Sequence, residues 1–120
     1  MAEHNELGNY GEALAITELQ RKGYTILEKN WRFQRAEIDI IVRNSEFVIA
    51  VEVKTRSSIT FGNPQDFVNP QKIKRLVAAM HHYVISNKLD LEVRFDIIAI
   101  TKNRVQFKLD HLEGAFQAFD

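Results

Sequence analysis

Two apolar stretches, EIDIIV at residues 37–42 and VEVKTR at 51–56, place Glu37, Asp39, Glu52 and Lys54 where buried strands normally carry Val or Ile. Taken as arms of an antiparallel hairpin turning at Asn44 and Ser45, they pair Arg43 with Glu46. Asp39 then lies opposite Ala50 and diagonal to Glu52, with β-carbons roughly 7 Å apart, and Lys54 follows two residues on along the same face. Two carboxylates this close repel, and one must take up a proton unless a positive charge sits between them. A divalent metal is one such charge. Oxygen-only ligands favour Mg²⁺ or Mn²⁺, which keep several waters and commonly meet phosphate oxygens. A bound water would be acidified and aimed at phosphorus, with the ammonium beside it orienting the nucleophile or stabilising developing negative charge. That is a pattern for phosphodiester hydrolysis. The competing reading is a solvated sheet face carrying ordinary cross-strand ion pairs.

The hairpin register is supported by its opposite face, which holds only Ile38, Ile40, Val42, Phe47, Ile49, Val51 and Val53. A one-residue slip would mix the faces. Before the hairpin, Glu12, Ala15, Ile16 and Leu19 recur at helical spacing within residues 8–22, and Gly23 is placed to stop that helix. Residues 24–33, rich in aromatic and β-branched side chains, read as a strand. Residues 57–68, with their Gly, Pro, Asn and Ser, read as a loop. Asn69 as N-cap and Pro70 at the first helical position open a second helix over 69–87, with Ile73, Leu76, Val77, Met80 and Val84 on one face. Strands are expected at 92–101 and 104–109, and a turn or helix over 111–119. Two helices around a mixed sheet make a layered α/β domain the natural packing.

The 120 residues suit a single domain spanning 1–120, and 16 Lys and Arg against 16 Asp and Glu give a net charge of zero. Any polyanion site must therefore be local. The absence of Cys rules out disulfides, thiolate nucleophiles and Cys-ligated metals. No apolar run approaches the roughly 20 residues needed to span a bilayer, and the polar start MAEHNELGNYGE lacks the core of a secretory signal. A cytoplasmic protein with no membrane partner is expected.

The segments GEALAITELQRKGYTILEKNWRF, EIDIIV, VEVKTR, FGNPQDFVNPQKIKRL and RFDIIAI resemble, in order and spacing, the YraN-like family of small uncharacterised bacterial proteins. That family in turn resembles the PD-(D/E)xK nucleases with the restriction-endonuclease-like fold, and the archaeal Holliday junction resolvases in particular. The resemblance implies a three-layer α/β/α domain with a central mixed sheet. It also implies a catalytic set of Glu12, Asp39, Glu52 and Lys54, with Asp39, Glu52 and Val53 as the metal set. Glu12, on the first helix, would support the metal or its waters. Two departures stand out, since Ala36 occupies a position where the family usually has Gly and Ile38 one where the superfamily has Pro. Junction-cleaving relatives need two active sites, so the resemblance also raises a homodimer.

Arg56 extends from the proposed site, and Lys72, Lys74 and Arg75 cluster early in the second helix, where phosphate contacts could position a nucleic acid. The other reading of the helical cluster is a solvated helix face. Gln71 reads as a first-turn polar residue outside the site. His81 and His82 point about 100° apart on a helix and do not form a metal pair. His4 and His111 have no evident partner, Asp96 is expected to pair with Arg94 or a core arginine, and Trp31, Phe33 and Phe61 are expected to pack. Three functions follow: a Mg²⁺- or Mn²⁺-dependent endonuclease acting on branched or damaged DNA, a non-catalytic nucleic-acid-binding module with a vestigial nuclease site, and a protein-interaction domain.

Overall fold

The computed structural model describes residues 2–56, 69–103 and 106–116. The expected loop at 57–68, with Phe61, and the side chain of His4 lie outside the described residues. Along the chain run α1 (Ala2–Arg21), β1 (Thr25–Phe33), β2 (Ala36–Arg43), β3 (Phe47–Arg56), α2 (Pro70–Ser86), β4 (Glu92–Lys102) and β5 (Phe107–Phe116).

Each helix ends for a local reason. The Gly23 N–H reaches the Gln20 carbonyl and the Tyr24 N–H the Leu19 carbonyl, a closure that needs a left-handed residue, and Gly23 supplies it at φ +94°. The second helix starts as its sequence demands, with the Asn69 side chain accepting from the Lys72 N–H at 2.8 Å and Pro70 in the first turn.

The five strands form one mixed sheet in the order β1-β2-β3-β4-β5. The first three form an antiparallel meander, β3 and β4 are parallel across the α2 crossover, and β5 returns antiparallel to β4. Ala15 and Leu19 of α1 pack with Ile40, Val42, Ile49, Val51, Ile98 and Ile100 on one face. Ile73, Leu76, Met80 and Tyr83 of α2 pack with Ile41, Val48, Ala50 and Ile97 on the other. The result is the expected three-layer α/β/α arrangement around a mixed sheet. Ile38 departs from expectation, joining the α2-side core with Ala36 although it shares the parity of Ile40.

Residues 111–116 are strand, not the expected turn or helix, because the long free edge of β4 offers backbone partners out to Phe116. Pairing in the sheet overrides the weak helical pattern of HLEGAF. Gly114, at φ +59°, and a register shift between Phe95 and Ile97 absorb the irregularity.

Candidate active site

The β2–β3 turn sets the position of the acids. Asn44 Oδ1 accepts the N–H groups of Glu46 at 2.9 Å and Phe47 at 2.8 Å, and the Asn44 N–H donates to the Phe47 carbonyl. This side-chain-capped turn centres on Ser45 and Glu46. Arg43 therefore pairs with Val48, not Glu46, and the ladder runs to Ile40 opposite Val51. The displacement is two residues, an even number, so the paired side chains of Ile40–Arg43 and Val48–Val51 keep their faces while Asp39 moves from beside Ala50 toward Glu52. Beyond the last ladder pair the Val53 N–H donates to Asp39 Oδ2 at 2.8 Å, and that bond holds the first acid against the strand carrying the second.

Glu52 is only 3 % exposed, which excludes the solvated-face reading for the second acid. Burial first and the Asp39 charge second push its carboxyl up to about 7, despite the nearby Lys72 ammonium. Lys72 Nζ forms an ion pair with Glu52 Oε1 at 3.0 Å, and beyond that cation this buried oxygen has no hydrogen-bond partner among the described residues. Lys54 is half-buried, and desolvation followed by repulsion from Lys72 lowers its ammonium pKa against the opposing pull of Glu52 and Asp39. It forms no ion pair among the described residues.

These groups line an open cleft of about 460 Å³ between the ends of β2 and β3 and the first turns of α2. Of the residues expected at the site, Asp39, Glu52, Val53, Lys54, Lys72 and Arg75 share its wall. Lys74 instead lines an adjoining groove, and exposed Arg56 donates to the Thr55 carbonyl at 3.2 Å, off the cleft wall. Glu12 is also off the wall. It is partly buried on α1, where burial and then the Asp39 charge raise its pKa while a hydrogen bond with Asn30 opposes them. Ala36, Glu37 and Leu76 also line the wall, together with Arg35, Asn69 and Gln71, three polar residues that sequence reasoning left out of the site. The Asn69-Pro70 start was the available signal for the latter two, because it aims the first turn of α2 at the acids. Arg35 follows Gln34, a non-glycine residue held at φ +55° in the β1–β2 turn, while Ala36 is not among the positive-φ residues and needs no glycine there.

Among the described residues no three His, Cys, Asp or Glu side chains converge as a metal-binding group. Two carboxylates do suffice for Mg²⁺ or Mn²⁺, which bind through one or two carboxylates and retain water. The fit rests on Glu52, a buried carboxylate that lines the same cleft as Asp39 and whose Oε1 has only the Lys72 ammonium beside it among the described residues.

A second buried acid has a different role. Asp96, fully buried, accepts both Arg94 Nε and Nη2 at 2.9 Å, His111 Nε2 at 2.8 Å and the Gly114 N–H at 3.0 Å. Burial alone would raise this carboxyl, but the bonds from His111, Arg94 and Gly114 hold it below its ordinary value. The expected Arg94 pairing is present, and His111, without an evident partner in the sequence, finds one here. With every acceptor direction occupied, Asp96 is a structural pair. His82 stacks on Phe33 at 4.2 Å and hydrogen-bonds Ser86.

Residues 11–100 match the model of the family described as "Uncharacterised protein family UPF0102", the YraN-like family. The chain is 62% identical over 119 residues to UPF0102 protein FP2501 of Flavobacterium psychrophilum, covering 99% of this chain and 100% of the relative. It is 57% identical over 119 residues to a UPF0102 protein of Christiangramia forsetii, with the same coverage. A UPF0102 protein of Bacteroides thetaiotaomicron is 43% identical over 116 residues, covering 97% of this chain and 96% of the relative. No helix among the described residues is long and apolar enough to cross a membrane.

Proposed function

We propose that this chain, which belongs to the uncharacterised protein family UPF0102, is a divalent-metal-dependent nuclease that hydrolyses phosphodiester bonds in DNA. The observation that carries the reading is the buried Glu52 carboxylate, balanced among the described residues by the Lys72 ammonium alone, in one cleft with Asp39 and Lys54. Asp39, Glu52 and Val53 would hold Mg²⁺ or Mn²⁺. Such an ion, when bound, acidifies a water and neutralises charge on the phosphoryl oxygens.

The chain's own groups supply the rest. The Val53 N–H fixes Asp39 so that the acid does not swing away when its charge is unbalanced. Lys54, half-desolvated and with a lowered pKa, can orient a nucleophilic water or donate to the oxygen on which charge develops. Lys72 balances Glu52 across 3.0 Å, and with Arg75 it presents cations to the substrate backbone.

The test is incubation of the purified protein with labelled duplex, single-stranded, flapped and four-way-junction DNA in Mg²⁺, Mn²⁺ or EDTA, beside Glu52→Gln. Metal-dependent cleavage is expected, lost in the variant by more than the roughly 10–100-fold typical of outer-shell changes. Undiminished cleavage by Glu52→Gln would refute the assignment.

A second reading, a nucleic-acid-binding module without hydrolysis, is favoured by one observation. The Lys72 ammonium already supplies positive charge beside Glu52. The same assay separates the two, because that module binds DNA in a salt-sensitive way and shows no metal-dependent turnover.

A further inference from the structure

Beside the cleft lies a second groove of about 510 Å³, within the roughly 300–1,000 Å³ range of ligand sites. The two share Arg35, Ala36 and Arg75, so they adjoin along one wall. The second groove has a different chemistry. The cleft carries Glu37, Asp39 and Glu52, whereas the groove carries Arg35, Lys74 and Arg75 and, among the described residues, is lined by no carboxylate. None of these three cations forms an ion pair among the described residues. In a chain whose net charge is zero, three unneutralised cations in one groove form a local field for a polyanion.

Between the cations the groove is apolar, with Phe33, Ala36 and Ala78 in its walls. Phe33 packs as expected against the core, its ring stacked on that of exposed His82 at 4.2 Å and parallel to that of Trp31 at 6.2 Å, and it lines the groove as part of that aromatic row. Cations tracking a backbone and aromatic or apolar surface meeting bases are the two components of a single-strand site. Duplex contacts would use the cations alone, because paired bases do not present their faces. The β1–β2 turn ties groove to cleft, since the left-handed Gln34 at φ +55° also lines the groove and directly precedes Arg35.

We propose that this groove holds an unpaired nucleic-acid strand next to the scissile phosphate, so that the substrate of the cleft is a branched or flapped structure and not a blunt duplex. The inference rests on the nuclease reading for the identity of the neighbouring cleft, and its binding test is independent of cleavage.

The experiment is fluorescence anisotropy in EDTA with a labelled oligothymidylate of about twelve nucleotides, inside the roughly 4–16 nucleotide span of compact single-strand sites, beside a blunt duplex of equal length. Lys74→Glu removes a cation that lines only the groove, and Phe33→Leu keeps apolar bulk while removing the ring. The intact protein is expected to prefer the single strand. Lys74→Glu should weaken that binding by about tenfold and reduce its salt dependence by about one released counterion, and Phe33→Leu should weaken it about fivefold. Equal affinity for duplex and single strand, or unchanged single-strand binding by Lys74→Glu with a native thermal melt, would overturn the proposal. Single-strand binding lost in these variants, without metal-dependent cleavage of a flapped substrate by the intact protein, would sink the nuclease reading and leave the groove assignment standing.

Discussion

At the scale of the residue, Glu52 and Asp96 are both buried acids in one sheet with opposite electrostatics. Asp96 has its charge satisfied by Arg94, His111 and a backbone N–H, while Glu52 Oε1 has only the Lys72 ammonium beside it among the described residues. The first stabilises a fold, and the second is a carboxyl shifted by burial and a neighbouring acid, the condition in which buried acids mark functional sites. Its sign can be tested. The folded pKa of Glu52, about 7, lies above the unfolded value of 4.5, so the metal-free fold keeps a proton that the unfolded chain releases in that window. Stability from this group is present below pH 4.5 and is lost as pH rises through 7. Glu52→Gln should therefore stabilise the metal-free protein at pH 8, by an amount on the order of 3 kcal/mol, while leaving it near wild type at pH 4.5. Thermal melts across pH 4–8 in EDTA would check this, and a variant less stable at pH 8 would contradict it. The types and parity of the acids were legible in the sequence, because alternation along a strand is a covalent property. That Asp39 accepts the Val53 N–H, and that Lys72 rather than Lys54 approaches Glu52, depends on tertiary distances that no spacing rule contains.

At the scale of the element, contact between α1 and β3 depends on a missing side chain. A Cβ on Gly11 would meet Thr55 Oγ1 at 2.0 Å and Thr55 Cβ at 3.1 Å, so the helix can lie against the strand behind Glu52 and Lys54 only because residue 11 has none. Ala normally favours a helix interior over Gly by about 1 kcal/mol, and here that gain is opposed by the overlap. Gly11→Ala should destabilise by about 1–3 kcal/mol, and adding Thr55→Ala should recover most of the loss. A Gly11→Ala protein as stable as wild type in urea would show that the helix sits further out. Helix α2 was legible from periodicity and caps nearly to its ends, and α1 from Gly8 on, its first six residues lying before the expected start. The hairpin was legible in parity but displaced by two residues, since Asn44 capping of the turn competes with a two-residue turn at Asn44 and Ser45. The last strand was legible only at its start, as the short strand expected at 104–109; its run on to Phe116 has its first cause in the open edge of β4 and not in its own sequence.

For the whole molecule, the three layers separate structural and chemical tasks. The buried stretches of β2, β3 and β4 hold the core on both faces, and where β2 and β3 cease pairing the acids meet the basic start of α2. That helix has no acid in its first turn and carries Lys72 there, against the ordinary preference of helix N-termini for negative charge. Glu52 supplies an anion at that basic helix start, and the proposed function adds a phosphate backbone as a second. A local rule broken at this place supports the proposed site at this end of the domain. The most direct measurement is calorimetric titration of Mn²⁺ into the metal-free protein at pH 8, beside Asp39→Asn, with the melting temperature followed over the same concentrations. The wild-type chain should show saturable binding and a rise in melting temperature with added Mn²⁺, both abolished in a folded Asp39→Asn protein. Binding of equal strength in the variant, or none in the wild type, would contradict a metal site between Asp39 and Glu52.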